Sequence, residues 1–277
     1  MRVLVIGATG TVGRGVVDGL VAAGEDVRAM TRRPGEVAFP AGVEVVAGDL
    51  TDPDSVTAAV EGVDRLYLLA TGETAAVLGK ARAAGATRAV LLSSAAVGHG
   101  GEFEGGSHAA AEAAVEGSGL EWTHLRPGMF ASNLLGWAPL IRAEGVVREP
   151  VAAAAQAPIH ELDIAEVAVA ALRTDRHVGQ VLTLSGPETL TKVQQAETIG
   201  AAIGREIRFE ELSPEEWKSV WVAQMPSYLA GVADWLLGIW ARSAATPDTP
   251  STTVAEVLGK PARTLAQWAA DHAEDFR

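Results

Sequence analysis

The sequence of 277 residues contains no cysteine. This absence excludes disulfide bonds, thiolate catalysis and metal centres held by cysteine. The histidine, aspartate and glutamate residues also show no spacing that is typical of a metal site, so no metal is expected. A chain without cysteine fits a reducing compartment, and we predict a cytoplasmic location.

The chain also lacks long apolar runs and an excess of positive charge. Its apolar segments are interrupted by glycine, aspartate or arginine before they reach the length of a membrane span, and it begins with a strand-like segment rather than a signal segment. The formal net charge of −13 disfavours nucleic acids and anionic membrane surfaces as partners. We therefore expect a small-molecule substrate and a monomer or homodimer. Abundant alanine, and arginine in excess of lysine, are typical of a GC-rich bacterial genome.

Strand-like apolar segments alternate with helix-like segments through the first two-thirds of the chain. This alternation predicts an α/β fold with a doubly wound parallel sheet of the Rossmann type. Strands are expected at 2–6, 27–31, 43–47, 65–70, 89–93, 121–125 and 181–185.

The composition changes towards the C-terminus. Five of the 7 tryptophans follow residue 215, on helix-like segments that prolines separate. We expect a first domain over residues 1–187, with a pocket-lining insertion at about 129–160. Residues 188–277 are expected to form a smaller, mainly helical cap that contributes to the substrate site.

The first strand-like segment runs directly into a glycine turn. Gly7 allows a sharp turn off the strand, Gly10 leaves room for a pyrophosphate, and Gly13 lets the next helix pack closely. A helix N-terminus then faces the phosphates. The alternative is a plain strand-to-helix connection, but the N-terminal strand and the helix that ends near Gly24 favour a dinucleotide site. The expected phosphate-binding residues are Gly7, Thr9, Gly10, Thr11, Val12 and Gly13.

No acidic residue stands at the end of the second strand, where a site selective for NAD places one on the ribose. Arg32 and Arg33 occupy this position instead. A guanidinium there suits the 2′-phosphate of NADP and can stack on adenine. A solvated basic loop is the alternative, but two arginines at this position in an acidic chain favour NADP(H) over NAD(H).

Several motifs together resemble those of the NmrA-like atypical short-chain dehydrogenase/reductases, over nearly the whole chain. They are the glycine turn, Gly48-Asp49-Leu50, Leu92-Ser93-Ser94, Leu125-Arg126-Pro127-Gly128 and Asp163-Ile164-Ala165, in which we expect Asp163 to be a helix N-cap. The resemblance implies further cofactor contacts. Asp49 and Leu50 would lie near adenine, Ala70 and Thr71 beside the ribose, Ser93 at the nicotinamide ribose, and Pro127, Met129 and Phe130 around the nicotinamide.

Tyrosine and lysine are scarce, and the Tyr-x-x-x-Lys motif of the wider superfamily is missing. His108 and Glu112 stand where that pair is expected. On a helix, these two residues would lie one turn apart on the same face. The carboxylate of Glu112 would then orient the imidazole of His108 and raise its pKa, so that the imidazole donates a proton. The alternative is an ordinary ion pair on a helix surface. His99 and His160 are secondary candidates, and none of the four lysines lies near the strand ends that face the cofactor.

On the substrate side, Phe130, Asn133 and Trp137 fall at helical spacing on one side of their segment. Asn133 would hydrogen-bond a substrate or the carboxamide of the cofactor. With Trp221, Met225, Tyr228 and Trp235, this segment predicts an apolar, aromatic-lined pocket, although core packing explains many of these residues equally well.

Two functions fit these observations. The first is an NADPH-dependent reductase that transfers hydride to an aromatic, quinone-like or otherwise activated acceptor, in bacterial secondary metabolism. The second is a regulatory protein of the NmrA type, which binds NADP without turnover. The missing Tyr and Lys favour the sensor, whereas an aromatic-lined chamber favours the enzyme. A biosynthetic reductase or isomerase with an unusual substrate is a third possibility.

Overall fold

The computed structural model describes residues 1–70, 73–99, 105–224 and 230–277. Its strands are β1 (Arg2–Ile6), β2 (Asp26–Thr31), β3 (Glu44–Ala47), β4 (Arg65–Leu69), β5 (Arg88–Leu92), β6 (Glu121–Pro127), β7 (Val146–Glu149), β8 (Ala155–Gln156), β9 (Gln180–Leu184), β10 (Leu190–Thr191) and β11 (Arg208–Glu211). Its helices are α1 (Thr11–Ala22), α2 (Thr57–Val60), α3 (Thr74–Ala83), α4 (Gly105–Gly117), α5 (Ala138–Glu144), α6 (Glu161–Arg173), α7 (Lys192–Ile203), α8 (Pro214–Gln224), α9 (Ala230–Ala245), α10 (Thr253–Leu258), α11 (Leu265–Asp271) and α12 (Ala273–Phe276). None of these described helices is both long and apolar enough to cross a lipid bilayer.

The chain forms two compact units that interleave in sequence. The first unit comprises Met1–Gly128, Glu161–Leu184 and Thr253–Lys260. The second comprises Met129–His160, Ser185–Thr252 and Pro261–Arg277. Residues 129–160, expected as an insertion into the first domain, thus group with the second unit, and the boundary at residue 187 stays a prediction.

A seven-stranded parallel sheet forms the centre of the first unit, in the order β3-β2-β1-β4-β5-β6-β9. The chain starts in the middle of the sheet, builds outwards to β3 and then crosses to β4. The order therefore reverses between β1 and β4, the point at which open α/β sheets bind ligands at the carboxyl ends of their strands. The predicted doubly wound α/β fold is confirmed.

Side chains of successive strand residues point to opposite faces of this sheet. Leu4, Leu66 and Leu91 are fully buried in the core that the sheet forms with α2, α3 and α4. The helices α1 and α6 pack against each other, and α6 also contacts β4, β5 and β6. The expectation that Asp163 is an N-cap is wrong, because α6 begins at Glu161. Asp163 lies buried within the first turn, where its charge complements the helix dipole.

The second unit is mainly helical, which confirms the expected helical C-terminal region. It also contains two small sheets, in which β8 pairs with β10 and β7 with β11. Trp268 and Phe276 are fully buried in its core, with an edge-to-face arrangement of their rings. Backbone hydrogen bonds of 2.8 Å join Ile159 to Met129 and to Ala131, which closes residues 129–160 into this unit.

Candidate cofactor-binding site

Each glycine in the turn between β1 and α1 meets a different constraint. Gly7 has a φ of +73°, a conformation that favours glycine, and a Cβ there would lie 2.6 Å from Leu69 Cδ1. A Cβ on Gly13 would lie 2.1 Å from the carbonyl oxygen of Gly7, so α1 rests directly on the turn. A Cβ on exposed Gly10 would meet the same oxygen at 3.3 Å and otherwise enters open space among the described residues. Gly10 therefore has room on its outer side, as an approaching phosphate requires.

The N-terminus of α1 is prepared for an anion. Gly10 occupies the N-cap position without any side-chain hydrogen bond, and the first turn contains no acidic residue. The first amide groups of a helix have no partners within the helix, and they carry the positive end of its dipole. A pyrophosphate group satisfies both features.

The two arginines that follow β2 have different surroundings. Arg33 forms an exposed ion pair with Glu36, in which Nη1 and Oε2 are 2.9 Å apart. Arg32 is exposed and makes no hydrogen bond or ion pair within the described part of the chain. Its positive charge helps to lower the pKa of the Asp49 carboxyl. Arg32 is therefore the guanidinium that is available to a ligand at this strand end.

The segment after β3 is held by a turn within the chain. Oδ1 of Asp49 accepts hydrogen bonds from the backbone N–H of Thr51 at 2.9 Å and from its hydroxyl at 2.8 Å. These bonds lower the pKa of Asp49, so the carboxylate is ionised at neutral pH. Leu50 and Ala70 are partly buried against the core of the first unit. Thr71, predicted at the ribose, lies outside the described residues.

At the carboxyl ends of β5 and β6, Ser93, Glu112 and Arg126 form one network. Ser93 is 4% exposed and donates its hydroxyl proton to Glu112 Oε1 at 2.5 Å. Arg126 donates to both carboxylate oxygens, from Nε at 2.9 Å and from Nη2 at 2.6 Å. Burial opposes ionisation of Glu112, but the hydrogen bonds from Arg126 and Ser93 outweigh it and lower the pKa of this carboxyl.

This network gives Glu112 partners that helical spacing does not predict. The buried carboxylate of Glu112 on α4 binds Arg126 of β6 and Ser93 after β5, and His108 lies half-buried one turn earlier. The pairing of His108 with Glu112 and the catalytic roles expected for both residues stay predictions. Arg126 belongs to the Leu125-Arg126-Pro127-Gly128 motif, but local spacing does not indicate its contact with Glu112, because this contact joins separate elements.

Of the two secondary histidine candidates, the structure describes the side chain of His160. The side chain of His99 lies outside the described residues. His160 belongs to the second unit, where it is buried and its Nε2 lies 3.2 Å from Asp271 Oδ2. His124 is buried on β6, stacked on Trp122 with ring centroids 4.4 Å apart, and burial lowers its pKa.

Pro127 ends β6 in the first unit, whereas Met129, Phe130 and Asn133 belong to the second unit. Met129 and Phe130 are half-buried, and Phe130 forms a backbone bridge with Ile159. Asn133 lies on a 3-10 helix over Ala131–Trp137 and is exposed, and its hydrogen bond to a substrate or to the cofactor stays a prediction. Met225 and Tyr228 lie outside the described residues.

Lys192 is a buried cation of the second unit that no motif indicated. Its Nζ donates to Glu149 Oε2 at 2.8 Å and to the carbonyl oxygen of Pro150 at 3.0 Å, and lies 3.3 Å from the ring centroid of Trp240. Burial lowers the pKa of this amine to about 8. Trp217 meets Trp240 edge to face, with centroids 4.9 Å apart. Trp217 and Trp240 thus pack against each other inside the second unit.

A family model described as NAD(P)H-binding matches residues 7–175 of the chain. This range includes the glycine turn, Arg32 and the network around Glu112. The chain belongs to this NAD(P)H-binding family. The resemblance to NmrA-like atypical short-chain dehydrogenase/reductases is confirmed.

Two relatives that match over nearly the whole chain are reductases. The chain is 38% identical to the (4-alkanoyl-5-oxo-2,5-dihydrofuran-3-yl)methyl phosphate reductase of Streptomyces griseus. It is 32% identical to the NAD(P)H azoreductase of Xenophilus azovorans, and both matches cover 99% of this chain and 99% of the relative. The prediction of an NAD(P)H-dependent oxidoreductase is confirmed.

Solved structures show the same fold. The NADPH-dependent quinone oxidoreductase of Escherichia coli matches with a TM-score of 0.83 at 25% identity, over 98% of this chain and 99% of that chain. The triphenylmethane reductase of Citrobacter, solved with NADP(H), matches with a TM-score of 0.83 at 21% identity, over 99% of this chain and 100% of that chain. At that identity the second likeness concerns the fold alone.

Gly10→Val is expected to abolish nucleotide binding without unfolding the protein, because the new side chain occupies phosphate space rather than the core. A bound nucleotide at 100 times its Kd stabilises a protein by about 2.7 kcal/mol, and the variant should show none of this gain in thermal melts with NADPH. Gly79→Val is the matched control, since Gly79 is an exposed residue of α3 with open space at its Cβ. A Gly10→Val protein that NADPH stabilises as well as the wild type would show that the loop is only a turn.

Lys192 is expected to make the free energy of unfolding rise between pH 8 and pH 10.5. The lower limit is the pKa of this amine in the folded protein, about 8, and the upper limit is its ordinary pKa of 10.5. In this window the unfolded chain binds more protons at this amine than the folded chain does, so the free energy of unfolding increases with pH. Lys192→Met should remove this slope in denaturant titrations at pH 8, 9 and 10. Lys218→Met, at an exposed ion pair with Asp234, should keep it. Parallel pH profiles for wild type and Lys192→Met would contradict the assignment.

Proposed function

We propose that this protein is an NADPH-dependent reductase that transfers hydride to an electron-poor, conjugated small molecule. The observation that carries the choice of NADPH is Arg32, an exposed guanidinium at the end of β2 without a hydrogen bond or ion pair among the described residues. The end of β2 also has no acidic residue to bind a free ribose hydroxyl. A planar guanidinium matches the oxygens of a 2′-phosphate.

The acceptor class is supported by the chemistry of the relatives. An azo compound, a quinone and an oxo-dihydrofuran with an alkanoyl group are all conjugated electron acceptors. Hydride from NADPH adds to one atom of such a system, and the resulting anion takes one proton from water or from the enzyme. Because these anions are delocalised, the reaction has little need for a strong acid, which agrees with the missing Tyr-x-x-x-Lys motif.

Arg32→Ala is expected to weaken NADPH binding by about 1.5–3 kcal/mol, the range for hydrogen bonds to charged groups, and to leave NADH binding nearly unchanged. Arg33→Ala is the control, because Glu36 already pairs with Arg33, and it should cost NADPH much less. Calorimetric titration of both nucleotides measures the difference. Equal losses for NADPH and NADH, or a wild type that prefers NADH, would overturn the assignment of NADP.

Turnover separates the reductase from the alternative, a sensor of the NmrA type that binds NADP without chemistry. We expect oxidation of NADPH, followed by its absorbance, in the presence of a quinone or an azo dye. If His108 donates a proton, His108→Ala should slow reduction of a carbonyl or imine acceptor by about 100-fold, and a quinone much less. Tight NADPH binding without turnover of any acceptor would favour the sensor, and full activity of His108→Ala on every acceptor would remove His108 from the chemistry.

A further inference from the structure

Arg14 tethers the loop between β2 and β3, which comprises residues 32–43. Nη1 of Arg14 donates a hydrogen bond of 2.7 Å to the carbonyl oxygen of Ala38. The guanidinium of Arg14 also lies over the ring of Phe39, 4.9 Å from its centroid. Among the described residues, no other hydrogen bond or ion pair connects residues 34–42 with a residue outside this loop. Arg14 is therefore the side chain that holds the middle of the loop.

Arg14 stands in the first turn of α1, directly after the glycine turn. Its backbone N–H donates to the carbonyl oxygen of Gly10 at 3.0 Å. A cation in the first turn opposes the positive end of the helix dipole, so this position costs some helix stability. The tether to the loop and an ion pair with Asp18, whose Oδ2 lies 3.6 Å from Arg14 Nε, offset that cost. Helix α1 thus places Arg14 so that the loop is held beside the expected phosphate site.

The tethered loop begins at Arg32, the guanidinium that is available to a 2′-phosphate. Directly after it, the chain forms a 3-10 turn, which the ion pair of Arg33 with Glu36 closes at 2.9 Å. The tether to Arg14 follows at Ala38. The segment after Arg32 is therefore restrained at both ends. Its backbone does not have to become ordered when a nucleotide binds.

We propose that Arg14 is a positioning residue for cofactor selectivity: by tethering the loop, it presents Arg32 to the 2′-phosphate of NADPH without contacting the nucleotide itself. This inference rests on the proposed function, because it requires that Arg32 binds this phosphate. A loop that is ordered in advance loses less conformational entropy on binding, so the affinity rises. NADH has no 2′-phosphate and gains little from the same restraint. The tether therefore contributes to the preference for NADPH over NADH.

The test measures the affinities of NADPH and NADH by calorimetry on the full chain. Arg14→Met removes the guanidinium but keeps a long apolar side chain, and it should weaken NADPH about fivefold and NADH less than about twofold. Arg14→Lys keeps a cation that can lie over Phe39, so it should bind NADPH more tightly than Arg14→Met does. Asp18→Asn is the matched control on the same helix, because it changes the outer ion pair of Arg14 and leaves the tether in place. It should bind both nucleotides as the wild type does.

A double-mutant cycle separates positioning from direct contact with the nucleotide. If Arg14 acts through Arg32, Arg14→Met should add less than about twofold to the loss of NADPH affinity in the Arg32→Ala background. Additive losses would mean that Arg14 binds the nucleotide itself, and they would overturn the inference. Equal losses of affinity for NADPH and NADH in Arg14→Met would overturn it as well.

Steady-state kinetics give a second measurement on the same variants. Arg14→Met should raise KM for NADPH about fivefold and leave kcat at saturating NADPH within about twofold of the wild type, because the tether affects binding and not the hydride transfer. If circular dichroism shows that Arg14→Met does not fold, Phe39→Leu replaces it in the same cycle, since this variant removes the ring under the guanidinium.

The outcomes for the proposed function and for this inference are distinct. A wild type that binds NADPH no more tightly than NADH, or an Arg32→Ala variant without any loss, would overturn the choice of NADPH together with the inference. A preference for NADPH that Arg32→Ala removes and Arg14→Met leaves unchanged would overturn the inference alone.

Discussion

The contact between the first turn of α1 and the backbone of the glycine turn is the constraint on which the rest of this protein depends. Gly13 lies so close to the carbonyl of Gly7 that no side chain fits between them. The helix consequently starts at the end of β1, and its uncapped N-terminus stays at the edge of the sheet where the strand order reverses. One backbone contact therefore sets the position of the helix N-terminus at which we expect a diphosphate.

An anionic cofactor must bind to a chain with a net charge of −13. Nearby hydrogen-bond donors matter more for binding this anion than the net charge does, because exposed charges farther apart than about 10 Å are largely screened at moderate ionic strength. The amide groups of α1 and the guanidinium of Arg32 lie at the strand ends, whereas the pair of Arg33 with Glu36 is locally neutral. The overall acidity of the chain is thus compatible with local selectivity for a phosphate.

The polar network at β5 and β6 suggests how a reductase of this type works without Tyr-x-x-x-Lys. Glu112 occupies the sequence position expected for the lysine, yet it is an acceptor held by Arg126. The described network therefore offers a carboxylate and a guanidinium at this position and no acid comparable to a tyrosine.

The sequence alone determined the features that follow local rules. A glycine turn after an apolar strand requires a positive φ and missing side chains within a few residues, and alternating segments imply a parallel sheet through the handedness of their crossovers. The ion pair that Arg33 forms, and that Arg32 does not form among the described residues, also has a local cause, since Glu36 stands three residues after Arg33.

The partners of the buried polar groups, by contrast, follow from the folded chain and not from local spacing. Helical spacing favours a pair of Glu112 with His108, whereas the pairing of β5 with β6 and the packing of α4 on them bring Ser93 and Arg126 to this carboxylate. Lys192 likewise meets Glu149 and Trp240 from distant parts of the chain. A buried charge takes the partner that folding places beside it, because desolvation penalises every unpaired alternative, and spacing along the chain does not encode that neighbour.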